Sequence, residues 1–168
     1  RTITLDEIYR QESDSLIAVN AHKINNGIMP AVNVSDKDFF LIRTPNPPAC
    51  ADAVKKLCSV RLPKAYGINA MTDIQVIIPT KKGICGVINI NKELQSCLNP
   101  PSDIKKETVL HGVVFREGDR VMQIRNNYEI EWEDLNDPAI KGSGVFNGEM
   151  GILMRIDTKN KEASVVFD

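Results

Sequence analysis

Three groups of residues have the types and spacing to do chemistry. Arg10 ends the short stretch Ile8–Gln11, "IYRQ". Its guanidinium is planar, permanently charged and shaped for phosphate oxygens. Beside an α/β domain, such an arginine can act on a phosphate held by another domain and stabilise charge on a transferring γ-phosphoryl group. An ordinary surface salt bridge uses the same residue, and spacing alone favours that reading. The second group is "PTKKG", Pro79 to Gly83, directly after a run of β-branched residues. Ligands gather beyond the carboxyl ends of strands in open α/β sheets. Thr80, Lys81, Lys82 and Gly83 can cradle a phosphate there, with a helix start following. The order is not that of a nucleotide-binding P-loop, so a nucleic-acid backbone fits better. A solvated basic turn explains the spacing about as well. The third group is "QIRNNY", Gln123 to Tyr128, with "GVFNGEMG", Gly144 to Gly151. Arg125, Asn126, Asn127 and Tyr128 offer hydrogen bonds and a stacking ring, a mix suited to single-stranded nucleic acid. Asn147 and Gly148 suit a tight turn, which is also ordinary hairpin chemistry, and Phe146 reads equally as core.

Other reactive residues carry little. His22 falls in a helical pattern near polar residues, and His111 in a strand pattern beside Gly112. Cys50, Cys58, Cys85 and Cys97 form no C-x-x-C pair. A zinc site is therefore not expected, and the cysteines read as small buried apolar residues of a reducing cytosol.

The elements that must position these groups change character along the chain. "SDSLIAVNAHKINNG" predicts a helix, with Ser13 or Ser15 as N-cap, Ile17, Ala21 and Ile24 at helical spacing, and Gly27 at the left-handed end. "FFLIR" (39–43) predicts a short strand. After the Pro-rich turn, 50–62 predicts a helix closed by Pro63, with Lys55 and Lys56 outward. "DIQVIIP" (73–79) predicts a strand buried on both faces, and 87–98 a second helix stopped by "NPP". Strand, helix, strand, helix is the pattern of a parallel sheet. From about residue 107 the runs 107–115, 119–126, 148–157 and 162–168 predict an antiparallel meander or small barrel. An acidic, Gly-closed loop, 127–144, lies between its second and third strands and holds the only tryptophan.

The 168 residues are 42% apolar and 26% charged, the balance of a globular chain rather than a disordered one. A net charge of −1 excludes a global basic clamp, so any nucleic-acid contact is local. No apolar run reaches the roughly 20 residues of a membrane span, and no signal peptide is visible. No G-x-S-x-G, H-E-x-x-H or catalytic carboxylate pair is present. The chain begins at Arg1 rather than Met, and both ends are expected to be cut from a longer protein.

Taken in order, "LDEIYRQ" with "AHKINNGIMP", "DIQVIIPTKKGICGVININKELQSCLNP", "FREGDRVMQIRNNY" and "GVFNGEMG" resemble the RecD-like, exodeoxyribonuclease V alpha-type DNA helicases of superfamily 1. The likeness covers nearly the whole chain and is loose only over about 31–72. It implies an incomplete RecA-like second motor domain over 1–106, carrying an inserted, incomplete β-barrel of the Src-homology-3 kind over 107–168. It implies ATP with Mg²⁺ as the parent's cofactors, held between two motor domains, and single-stranded DNA as a partner crossing both. By this resemblance Arg10 is the catalytic arginine and, with Gln11, touches ATP. Thr80 (where relatives often carry Met), Lys81, Lys82, Gly83 and Asn89 approach the DNA backbone, and Asn126, Asn127, Tyr128 and Asn147 the DNA from the barrel. The family's Walker segments would lie before residue 1, and its "TVHKSQGSE" and C-terminal arginine motifs after residue 168. The missing first motor domain is thus an expected partner, no membrane is, and the location is expected to be cytoplasmic. The fragment alone is expected to bind no cofactor, hydrolyse no ATP and unwind no DNA. A non-catalytic nucleic-acid-binding module of the same architecture is the alternative.

Overall fold

A computed structural model describes residues 15–35 and 37–167; the chain divides into two units between Pro45 and Asn46. In the first, α1 spans Leu16–Asn25. The Ser15 hydroxyl accepts from Ile17 N at 3.2 Å, and the Asp38 carboxylate accepts from Leu16 N at 2.8 Å. Two orphan amides are so satisfied, and the Asp38 charge opposes the positive helix end. Gly27, at φ +70°, ends the helix as expected. Ile17 and Ile24 lie exposed, while the fully buried residue of α1 is Asn20. Its side-chain amide grips the Ala31 backbone at both ends, accepting from N at 2.9 Å and donating to O at 2.6 Å.

The strand expected at 39–43 is not formed. Leu41 donates its N–H to Asn33 Oδ1 at 2.9 Å and accepts from Asn33 Nδ2 at 3.1 Å. One asparagine side chain thus takes the place of a neighbouring strand.

In the second unit α2 spans Pro47–Lys56, capped by Asn46 accepting from Ala49 N at 2.9 Å. Pro63 does not close this helix. A π-helical turn, Leu57–Arg61, leads straight into α3, Leu62–Tyr66. The wider turn re-registers the backbone bonds, so the proline falls in the first turn of α3, where its missing N–H is harmless. Gly67, at φ +66°, is the true stop. Lys55 is not free in solvent either: it pairs with Glu93 at 3.1 Å. α4, Val87–Leu98, matches its expected bounds. It packs on α2 and the π turn, where Ala51, Cys58 and Ile90 are buried. Of the cysteines only Cys58 is buried. Cys50 and Cys85 are half-buried and Cys97 is exposed, so the expected uniform burial does not hold.

Residues 73–79 are not a paired strand buried on both faces. Ile74, Val76 and Ile78 are half-buried, whereas Ile77 is 89% exposed. A strand needs a hydrogen-bonded neighbour, and among the described residues every strand pair is antiparallel. The run is held at one end by Arg120, whose Nη1 donates to the carbonyls of Met71 (3.0 Å) and Ile74 (3.2 Å).

The antiparallel half forms three small sheets: β1 (Glu107–Leu110) with β2 (Val113–Arg116); β3 (Arg120–Met122), β6 (Met150–Asp157) and β7 (Glu162–Phe167) in the order β3-β6-β7; and β4 (Asn127–Glu133) with β5 (Lys141–Val145). This is consistent with an SH3-like domain. The single run expected over 107–115 is a hairpin, and His111 lies not in a strand but in its two-residue turn. His111 and Gly112 both have positive φ, +50° and +79°, which matches the twist of a two-residue hairpin. The acidic segment 127–144 is likewise no loop but the β4–β5 hairpin. Its alternation of Tyr128, Ile130 and Trp132 with glutamates is a strand pattern, and a Cβ on Gly142 would collide with the Trp132 ring.

A polar clamp joins α4 to the sheets. Asn99, which ends α4, donates to Asp119 Oδ1 at 2.7 Å and to Glu117 O at 3.1 Å. Asp119 Oδ2 accepts from Arg116 N (2.7 Å) and Gln95 Nε2 (2.6 Å). The Arg116 guanidinium bonds Asn99 O and Glu107 Oε1, the latter at 2.6 Å. All three central residues are buried, and each buried polar group here has a partner. Removing one would strand the others at about 1–3 kcal/mol each. This clamp is the structural content of the "FREGDR" stretch.

Candidate nucleic-acid interface

The basic turn after residue 79 is built by its glycines. Gly83 takes φ +94°, and a Cβ on Gly86 would sit 2.5 Å from the Lys82 carbonyl oxygen. The turn folds back so that Val87 N donates to Thr80 O at 3.0 Å and Ile88 N to Lys81 O at 3.4 Å. The first amides of α4 are therefore occupied by the turn's own carbonyls rather than open to an anion. What remains outward is side-chain chemistry: Thr80, Lys81 and Lys82 are all exposed. Asn89 donates from Nδ2 to Ile84 O at 2.8 Å, so it braces the turn from the helix.

The second group converges at a corner made by the β3–β4 and β5–β6 connections. Asn126 is its joint: Nδ2 donates to the Tyr128 hydroxyl at 3.3 Å, and Oδ1 accepts from Asn147 N at 2.9 Å. Gly148 N donates to Gln123 O at 2.8 Å, and Phe146 N to Glu149 Oε2 at 3.0 Å, which closes the Phe146–Glu149 turn. Gly148, at φ +97°, allows it. The Tyr128 and Phe146 rings meet edge to face, centroids 5.8 Å apart and planes at 78°. Both remain open to solvent, Tyr128 at 66% and Phe146 at 45%. Asn126, Tyr128 and Asn147 are thus brought together. Asn127 is spent locally, its Oδ1 accepting from Glu129 N at 3.0 Å.

Phe146 is the addition that sequence reasoning left undecided. Its place beside the Asn147-Gly148 turn was visible in the sequence; its contact with Tyr128, across the chain, was not. Arg125 is exposed, with its carbonyl accepting from Gln123 Nε2 at 2.7 Å. Arg10 and Gln11 lie outside the described residues. Among the described residues no group of three or more His, Cys, Asp or Glu converges to hold a metal. No described helix is long and apolar enough to cross a membrane.

An exposed aromatic pair framed by amide side chains can stack on unpaired bases and bond their edges. Exposed lysines on a rigid turn can meet backbone phosphates. Comparison with known proteins agrees with the architecture. Residues 90–167 match the family described as the ATP-dependent RecD-like DNA helicase SH3 domain. The chain is 28% identical over 156 residues to the ATP-dependent RecD2 DNA helicase of Deinococcus radiodurans, covering 93% of this chain and 18% of that protein. It is 35% identical over 94 residues to an uncharacterised protein of Methanocaldococcus jannaschii, covering 52% of this chain and 8% of that one. The chain spans less than a fifth of the length of these curated relatives. Over most of its length the chain is therefore similar to part of a RecD-like DNA helicase, with the SH3 domain matched from within α4 to the end of β7.

Proposed function

We propose that this chain is part of an ATP-dependent DNA helicase that moves on single-stranded DNA and opens duplex, in the 5′ to 3′ sense that the resemblance implies, in DNA repair and recombination in the cytoplasm. Its share would be a portion of the second, RecA-like motor domain and the SH3-like module inserted in it. The carrying observation is that the region matched to the helicase SH3 domain includes the exposed Asn126, Tyr128, Phe146 and Asn147 corner. That corner offers stacking and amide contacts to a single strand, and the Lys81–Lys82 turn offers charge to its phosphates. Glu131 and Glu133, farther along β4, would repel phosphate, so the strand's path would leave the β4–β5 hairpin beyond Tyr128.

ATP and Mg²⁺ would sit in a first motor domain and against Arg10. ATP touching both domains favours a closed cleft, and hydrolysis releases it. Arg10 would supply charge to the γ-phosphoryl group. The test is Arg10→Ala in the full-length parent: ATP turnover should fall by about 10³-fold or more, with single-strand binding retained. An unchanged rate would remove Arg10 from the mechanism.

A further inference from the structure

The β4–β5 hairpin has no sheet to rest on. Its two strands pair with each other and with no other described strand, and every residue of β4 is exposed. An isolated two-stranded hairpin is marginally stable in water. Its turn is closed from within: Asp134 Oδ1 accepts from Asn136 N at 2.7 Å and from Asp137 N at 3.0 Å, and Asp137 Oδ1 from Ala139 N at 3.1 Å.

The pairing register fixes what the outer edge of β4 offers. Glu131, Trp132 and Glu133 stand opposite Ser143, Gly142 and Lys141, and Asp134 N donates to Ile140 O at 3.0 Å. Bonded and non-bonded pairs alternate along an antiparallel ladder. Trp132 therefore bonds inward to β5, and the N–H and C=O groups of Glu131 and Glu133 point to the free edge. Side chains alternate between faces as well. Ile130 and Trp132 share one face and are both exposed, although the Trp132 ring lies over Gly142. Glu131 and Glu133 share the other. Glu133 meets Lys141 at 3.3 Å, whereas Glu131 is in no ion pair among the described residues.

We propose that the free edge of β4 is a docking site for another protein, which adds a strand of alternating basic and apolar residues beside Glu131 and Glu133. Backbone pairing would supply affinity, and the alternate side chains specificity. Lysine or arginine would lie beside the two glutamates on one face, and apolar side chains beside Ile130 and Trp132 on the other. Charge decides the occupant. Residues 127–145 carry five carboxylates and one lysine. A second copy of the chain adding its own β4 would set like charges side by side, and nucleic-acid phosphate would be repelled. The edge begins beyond Tyr128, so the proposal does not depend on what the Tyr128–Phe146 corner binds.

The experiment follows hydrogen exchange of the full-length protein, resolved to single residues by mass spectrometry, alone and with short acetylated and amidated peptides. One probe alternates lysine with valine. A second has the same composition with the lysines and valines segregated, and a third alternates glutamate with valine. The Glu131 and Glu133 amides should exchange freely in the protein alone. The lysine–valine alternation should slow them by about 10-fold, and the other two peptides should not. Glu131→Lys with Glu133→Lys, on an exposed strand, should lower affinity for the lysine–valine alternation by about 10-fold and confer protection by the glutamate–valine one. Equal protection by the segregated peptide would overturn the proposal, because charge attraction alone would explain it. So would amides that no peptide protects, or amides already protected without peptide, where the protein's own chain or a second copy is the occupant.

Discussion

Asn126 Oδ1 accepts a hydrogen bond from the Asn147 amide at 2.9 Å, joining two connections 21 positions apart into one corner. The same side chain donates from Nδ2 to the Tyr128 hydroxyl. Asn126 therefore sets both the turn and the ring. Asn126→Ala removes both bonds at an exposed site, each worth about 1 kcal/mol. The full-length protein should stay folded while its single-strand affinity drops by about 5- to 10-fold. Fluorescence anisotropy with a labelled oligonucleotide checks this; unchanged affinity would mean that the corner's shape is irrelevant to DNA.

Lys81 and Lys82 stand outward on a turn whose backbone is closed by Thr80 O and Lys81 O accepting from α4. In the proposed function their contribution to DNA would be charge alone, because the first helix amides are already engaged. Lys81→Ala with Lys82→Ala should lower affinity similarly for all sequences. It should also reduce the slope of log affinity against log salt by about 1.4 for two lost phosphate contacts. An unaltered slope would place the DNA backbone elsewhere.

Acid should loosen the joint between the entry to β1 and β6. Glu117 accepts from Lys106 N at 3.0 Å and from Ile156 N at 2.9 Å. These backbone bonds hold its pKa below the ordinary glutamate value. A carboxyl lowered on folding stabilises the folded state above its unfolded pKa, near 4.3, and loses that contribution as pH falls through the folded value. Asp157 and Asp73 are lowered in the same direction, Asp157 first by the Asn160 amide and Asp73 first by the Thr72 hydroxyl. The melting temperature should fall below about pH 4.5, and Glu117→Gln should be less stable at pH 7 yet flatten that fall. A parallel fall in both proteins would exclude Glu117 as a contributor.

Much of this architecture was legible because local chemistry decided it. Helix α4 lies at its expected bounds since its apolar spacing, Gly86 before it and the prolines after it all agree. The misreadings have physical causes. Pro63 marks a helix end by itself, but a π turn upstream gives the proline a first-turn position. His111 sat in an apolar run, and only its positive φ reveals the hairpin turn. The glutamates of β4 suggested a loop, although their alternation with Tyr128, Ile130 and Trp132 carried the strand. The runs at 39–43 and 73–79 have strand composition, but composition cannot supply the neighbours that a strand must bond. The aromatic contact of Tyr128 with Phe146 depends on tertiary register, which no spacing within either segment encodes.

In the proposed function the exposed Tyr128–Phe146 corner grips unpaired bases. The most direct measurement is single-stranded DNA affinity of the full-length protein carrying Tyr128→Ala, at fixed salt, beside its duplex affinity. One lost stack is worth about 1–3 kcal/mol. Single-strand binding should therefore weaken by roughly 5- to 150-fold, with duplex binding and thermal stability little changed. Wild-type single-strand affinity in a folded Tyr128→Ala protein would contradict it.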